Sequence, residues 1–277
     1  MEIAVIQDKV LPMTEVAPAY LDRGVFFGDG VYEVLRSYNG KIFALDEHLE
    51  RFATSLAKVE IHGVDIEQIR SRLLSAFEQA DIANAKIYFH VTRGSAFRNH
   101  IAPKELKPNF FLTITELADF TEQKTNGIAV CTFPDWRWHR CDIKSLNLLP
   151  NVLARLEAGK KDCEEAILVN DAGLITEGAG SAFFAVTGKA LQTAPLTANI
   201  LPSITRKYAI KAAGQIGMEI VEKCLTVEQA ICADELFIAV TTRDIVGVVR
   251  FDDKIIGTGK VGSYTKLIME KFAGYVQ

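Results

Sequence analysis

Arg140-Cys141-Asp142-Ile143-Lys144-Ser145-Leu146-Asn147-Leu148-Leu149 sets one lysine among apolar neighbours, with Ile143 before it and three leucines close behind. Apolar surroundings disfavour an ammonium ion. A neutral amine is what attack on a carbonyl requires. By spacing alone, the same run also describes a surface lysine at a strand end, so the rest of the chain must decide.

Four other segments carry side chains suited to a small-molecule site. Thr176-Glu177-Gly178-Ala179-Gly180-Ser181 puts a carboxylate before a small-residue turn, where glycines let backbone approach a ligand. Leu201-Pro202-Ser203-Ile204-Thr205-Arg206 opens a helix whose free N–H groups suit an anion. Thr241-Thr242 offers hydroxyls at a strand end. Arg93-Gly94-Ser95-Ala96-Phe97-Arg98-Asn99-His100 holds three possible cations, and arginine suits a two-point grip on a carboxylate. Each alone is equally an ordinary turn, cap or basic loop. Gly28-Asp29-Gly30-Val31-Tyr32-Glu33 by itself says only that a tight turn enters a strand.

The periodicity outside these motifs mixes strands and helices. Val31–Ser37 reads as a strand, Asn39-Gly40 as a type I′ turn, and Lys41–Ala44 as the returning strand. Asp46 is placed to cap a helix over 47–59, and a second helix fits 66–80. Strands are expected at 86–92, 109–115, 128–133, 166–169, 174–176, 182–186 and 235–240. Helices are expected at 151–161, from Ser203, and from Gly262. The fold class is therefore α+β, with a smaller α+β part over 1–117, a polar linker over 118–125 and a larger barrel-like part over 126–277.

Composition narrows the function. The net charge of −4 argues against nucleic acid as the main partner, because phosphate binding needs a concentrated basic face; the local cluster Arg137, His139 and Arg140 could still hold a small anion. No apolar run is long enough to span a membrane. The 5 cysteines are widely spaced and form no metal motif, so no metal site is expected. Reduced thiols fit a cytoplasmic protein.

Taken together and in order, these motifs, with His48-Leu49-Glu50-Arg51, Ile204-Thr205-Arg206 and Arg98-x-His100, resemble the fold-type IV aminotransferases. The resemblance runs from about Asp22 to Gly262, and the Arg98-x-His100 pair makes it strongest for the D-amino-acid aminotransferases. It implies pyridoxal 5′-phosphate as cofactor and transamination between a D-amino acid and a 2-oxo acid. Lys144 matches the Schiff-base lysine that also moves the substrate proton, and Glu177 the partner of the pyridine nitrogen. Arg51, Ile204, Thr205 and Thr241 match the phosphate ligands. Tyr32, Arg98 and His100 match the trap for the substrate α-carboxylate, the last two reaching in from the other subunit of a homodimer. The alternatives within the fold are branched-chain L-amino-acid aminotransferases, (R)-amine aminotransferases and 4-amino-4-deoxychorismate lyases. The chain departs from the D-amino-acid pattern at Ala179, Gly180, Ala182 and Val240. Leu149 stands where branched-chain relatives usually carry a tyrosine.

Overall fold

The computed structural model describes residues 1–276. The chain opens with a hairpin, β1 (Ile3–Ile6) and β2 (Lys9–Pro12), followed by the short helix α1 (Arg23–Phe27). Next come β3 (Gly30–Tyr38), β4 (Lys41–Ile42), α2 (Leu45–Lys58), α3 (Ile66–Ala80), β5 (Ala85–Thr92) and β6 (Asn109–Glu116). These four strands form an antiparallel sheet in the order β4-β3-β5-β6. Asn39 and Gly40 both have positive φ, 48° and 81°, as a type I′ turn requires.

Strand β3 has two working faces. Val31, Glu33, Leu35 and Ser37 are buried, while Tyr32, Val34, Arg36 and Tyr38 are half-buried. The period of two sends the first set to one side of the sheet. There Val31 and Leu35 pack with Phe52 and Leu49 of α2, Leu73 of α3, and Ile87 and Phe89 of β5. The second set faces the rest of the chain. Asp46 does not cap α2: the helix begins at Leu45 with Ala44 at the cap position, and Asp46 instead pairs with Arg70 at 2.7 Å.

The polar stretch expected as an irregular linker carries a helix, α4 (Thr121–Asn126). Its Lys124 Nζ lies 2.5 Å from Asp244, so the segment is tied down rather than free. Beyond it lie β7 (Ile128–Pro134), α5 (Leu149–Lys160), β8 (Glu165–Val169), β9 (Ile175–Gly178), β10 (Ala182–Thr187) and β11 (Ala190–Thr193). Then follow α6 (Ile204–Gln215), β12 (Glu219–Glu222), α7 (Val227–Ile231), β13 (Glu235–Val240), β14 (Asp244–Phe251), β15 (Lys254–Ile255) and α8 (Ser263–Ala273).

The larger sheet runs β12-β11-β10-β13-β14-β7-β8-β9, with β15 on β14. It curls until its end returns, where the Gly178 amide donates to the Ser181 carbonyl at 2.8 Å and sets β9 beside β10. Both faces are covered. Inside the curl, Val130, Ile167, Phe183, Ile238, Val246 and Phe251 pack together. Outside, Phe184, Phe237 and Ile245 meet Ala209 and Ala213 of α6 and Ile268 of α8. That two-sided burial explains runs such as Ala-Phe-Phe-Ala-Val in β10, which show no polar alternation. Among the described residues no helix is long and apolar enough to cross a membrane, and no cluster of His, Cys, Asp or Glu is suited to a metal ion.

The two faces of β3 predict opposite outcomes for adjacent substitutions. Leu35→Ala, at a fully buried position, should lower the free energy of unfolding by about 2–5 kcal/mol. Val34→Ala, on the opposite, half-buried face, should cost under about 1.5 kcal/mol. Urea titration of both variants checks this, and equal destabilisation would contradict the assigned faces.

Candidate active site

Between the two sheets lies a cavity of about 240 Å³. Tyr32 and Val34 of β3, Arg51 of α2, Arg137 and Lys144 of the segment after β7, and Glu177 at the end of β9 all line it. The turn Gly178–Ala182, Leu201 and Ser203 before α6, Val240 at the end of β13, and Thr241 and Thr242 after it also line the cavity.

Lys144 belongs to neither large strand beside it. Its carbonyl accepts from the Tyr32 amide at 2.9 Å, and the Leu146 amide donates to Gly30 O at 3.0 Å. Ser145 thereby bridges Val31, and the segment adds an edge to β3. The Lys144 amide donates to Ser55 Oγ at 3.2 Å, and Ile143 sits in the core of the smaller sheet. Lys144 Nζ lies 4.3 Å from the centroid of the Tyr32 ring. The amine is thus held against a phenol by the smaller lobe.

Arg51 is aimed by a buried carboxylate. Its Nε and Nη2 both reach Glu33, at 2.7 Å each, while His48 Nδ1 lies 2.7 Å from Glu33 Oε2. Glu33 is fully buried. Burial alone would raise its carboxyl, but the Arg51 charge and the contacts from His48 and Arg51 outweigh that and hold it at about 2. Arg51 Nη1 reaches across to Pro202 O at 3.0 Å, just before α6. Ser203 caps that helix, its Oγ accepting from the Arg206 amide at 3.2 Å. The buried Ile204 and Thr205 open its first turn. A helix N-terminus beside a guanidinium favours an anionic group, and Thr241 and Thr242 add hydroxyls to the same wall.

At the other wall Glu177 is 5% exposed. Its Oε1 accepts from Arg137 Nη1 and, at 3.1 Å, from the Leu201 amide. Burial pushes its carboxyl up, with the Arg137 charge pulling against it. Arg137 in turn grips Asp135 through Nε and Nη2, at 2.8 Å each, and Asp135 accepts from Thr176 Oγ1 at 2.8 Å.

Tyr32, Arg51, Lys144, Glu177 and Thr241 therefore share one cavity, and Ile204 and Thr205 stand behind its Ser203. Arg98 and His100 do not line it. Both are exposed on the loop after β5. The Arg98 guanidinium carbon lies 5.2 Å from the Phe27 ring centroid, and the His100 ring 5.3 Å from it. Arg23 fixes that loop by donating to Asn99 O at 2.5 Å and His100 O at 2.9 Å. The anion cluster expected of Arg137, His139 and Arg140 does not form: Arg137 turns inward, and Arg140 pairs with Asp142 at 3.0 Å. Glu33 and His48 carry no role in the sequence reading, and Arg137 carries a different one. Asp135-Trp136-Arg137-Trp138 does carry a signal, since its alternation places Asp135 and Arg137 on one side between two tryptophans.

Comparison with known proteins gives this arrangement a context. The family described as amino-transferase class IV matches residues 30–251. The chain is 37% identical over 274 residues to the D-alanine aminotransferase of Staphylococcus haemolyticus, covering 98% of this chain and 97% of that one. It is 37% identical over 262 residues to the D-alanine aminotransferase of Bacillus licheniformis, covering 93% and 91%. Among solved structures it resembles the branched-chain amino acid aminotransferase of Escherichia coli, with TM-score 0.87 at 24% identity over 96% of this chain and 92% of that one. That of Thermoproteus uzoniensis gives 0.83 at 23%, over 96% and 91%. At such identities the solved structures establish the fold.

Glu33 yields a prediction of its own. Its folded-state pKa is depressed, so its stabilisation is fully present above about pH 4.5 and is lost as pH falls toward about 2. Glu33→Gln should destabilise the protein by about 3–5 kcal/mol at pH 7, because the buried Arg51 charge loses its partner. Across the window from pH 4.5 to 2 the variant should lose less stability than the parent. Urea titrations at several pH values test both statements.

Proposed function

The chain belongs to the class IV aminotransferases, and we propose that it transfers the amino group between a D-amino acid and a 2-oxo acid, D-alanine with 2-oxoglutarate being the type reaction. The carrying observation is the convergence of Lys144 and Glu177 on one cavity whose remaining wall is Arg51 with the start of α6. That set fits pyridoxal 5′-phosphate: an amine for its aldehyde, Arg51, Ile204, Thr205 and Thr241 for its phosphate, and a carboxylate for its ring nitrogen. The cofactor, when bound, withdraws electrons from the substrate α-carbon. Lys144 Nζ would hold the cofactor through its aldehyde, and as a free amine it would take the proton from the substrate Cα. Glu177 would place its carboxylate beside the ring nitrogen and favour the protonated form of that nitrogen. Tyr32 lies against the amine and orients the substrate.

Handedness follows from where the α-carboxylate is held, because the Cα–H bond must point at Lys144. We assign that grip to Tyr32 with Arg98 and His100 of a second subunit, in a cytoplasmic homodimer. Support comes from the exposure of Arg98 and His100 away from their own cavity. It comes also from α5, where Leu149, Val152, Leu153 and Leu156 are 41–67% exposed along one apolar stripe. Five free cysteines suit a reducing compartment. The branched-chain reading is weaker: the high-identity relatives are D-alanine aminotransferases, and Leu149 is not the tyrosine of branched-chain enzymes.

Single amino acids, added to the protein loaded with pyridoxal phosphate, should bleach its visible band fastest as D-alanine or D-glutamate. Fastest reaction with L-leucine or L-valine would reject the D-assignment. Lys144→Ala should bind the cofactor without a covalent link, so that borohydride no longer fixes it to the chain. Arg98→Ala should weaken the D-reaction by roughly 2–4 kcal/mol, mainly through KM. Mixing Lys144→Ala with Arg98→Ala protein, unfolded and refolded together, should restore activity if subunits share sites.

A further inference from the structure

Arg137 has no role in the site as assigned so far, yet it touches the carboxylate on which that assignment depends. Its side chain is 7% exposed, and so is that of Glu177. Every protein donor to Glu177 among the described residues, Arg137 Nη1 and the Leu201 amide, lands on Oε1. Oε2 is left to the cavity. Arg137 is fixed, because both carboxylate oxygens of Asp135 grip the Nε/Nη2 edge of its guanidinium and Thr176 Oγ1 holds Asp135. A two-point grip on one edge fixes both the plane and the direction of the remaining Nη1. The order Thr176–Asp135–Arg137–Glu177 thus transmits the geometry of β9 and the end of β7 to one carboxylate oxygen.

We infer that Arg137, held by Asp135, is a positioning residue that keeps Glu177 ionised and turns its free oxygen toward the ring nitrogen. This rests on the role proposed above for Glu177. A carboxylate removed from water stays charged only beside a compensating charge. The other titratable groups around Glu177 do not compensate it. Asp135 is an acid already committed to Arg137, and Cys141 is a buried thiol pushed up to about 11. Glu165 behind the Gly178–Ser181 turn is an acid paired with Arg155 at 3.0 Å, while Lys144 and Arg51 occupy other parts of the cavity wall. Burial already presses Glu177 toward its neutral form against the pull of Arg137. Without Arg137 the carboxyl would take up a proton at higher pH, and the ring nitrogen would lose its anionic partner.

The test uses the full-length protein carrying its cofactor and four variants, R137M, R137K, E177Q and R137M/E177Q. Activity needs ionised Glu177, so a raised pKa moves the acid limb of the D-alanine half-reaction to higher pH. In R137M the limb should move up by about one pH unit or more. R137K, which keeps a cation but not the fork, should move it part of the way. In the E177Q background the R137M change should alter the rate by less than about twofold. A merely structural arginine would instead leave the limb in place and lower the rate equally in both backgrounds, and either result overturns the inference. If R137M does not fold, an unmoved limb in R137K overturns it. Glu177 can also be titrated without turnover through the ¹³C carboxyl resonance that E177Q removes. A shift of that resonance in R137K or R137M sustains the inference even if transamination of D-amino acids fails, and an unshifted one refutes it.

Discussion

A carboxylate with no exposure must have its charge matched inside the protein, and Glu33 is such a group. Strand periodicity points it to the helical side of β3, so the matching cation must come from α2. Arg51 supplies it with two bonds, and His48 fills the second side. Because Arg51 also reaches Pro202, the same ion pair links β3 and α2 of the smaller sheet to the start of α6 on the larger one. With Glu33 committed inward, its neighbours Tyr32 and Val34 necessarily face the cavity. A slip of one residue in this strand would exchange the core for the site.

The lysine depends on that strand too. Although it lies far downstream in the chain, Lys144 is bonded to the edge of β3 through Tyr32 and Gly30. The amine, the phenol and the guanidinium are therefore all held by the smaller sheet and its helix. Glu177 and Val240 belong to the curled sheet, and Thr241 follows Val240 directly. The distance from amine to carboxylate is then set by whatever joins the two bodies. Asp244 is such a joint: it accepts from Arg36 at 2.8 Å and from Tyr38 on the even face of β3, and pairs with Lys124 of α4. Burial of Tyr38, with the Asp244 charge beside it, pushes the Tyr38 hydroxyl up, so that the phenol stays a donor.

Much of this was legible before any coordinates. The alternation in β3, the Asn39-Gly40 turn and the Ser203 cap are local signals, and local physics carries them. The curled sheet was legible only in outline. β14 is not legible although Ile245, Val246, Val248 and Val249 lie in it, because the Thr241–Asp244 connection holds no Gly, Pro or Asn to punctuate it. Asp46 looked like a cap because helix starts are read from residue type, and the chain placed it one residue inside the helix. Ion pairs between distant segments, Glu33 with Arg51 and Arg137 with Glu177, leave no periodic trace. A charged residue in a strand reads as solvated until its partner is known.

The placement of Arg98 and His100 separates two demands that a stereoselective transaminase must meet. Lys144, Glu177 and the start of α6 come from one chain, and on the roles proposed for them they serve proton transfer at a bound carbon. They do not choose between hands, since an amine presented from one side accepts a proton from either enantiomer that can aim its Cα–H bond there. That choice needs a fixed carboxylate, and Tyr32 is the only member of the assigned trap that its own chain brings to the cavity. On the dimeric reading the selecting cations arrive from a surface loop fastened by Arg23 and Asp29, away from the core that positions the amine. Loops of that kind can be exchanged without disturbing the buried ion pairs beneath. On that reading the loop carrying Arg98 and His100 can vary while the buried ion pairs that hold the cavity stay in place.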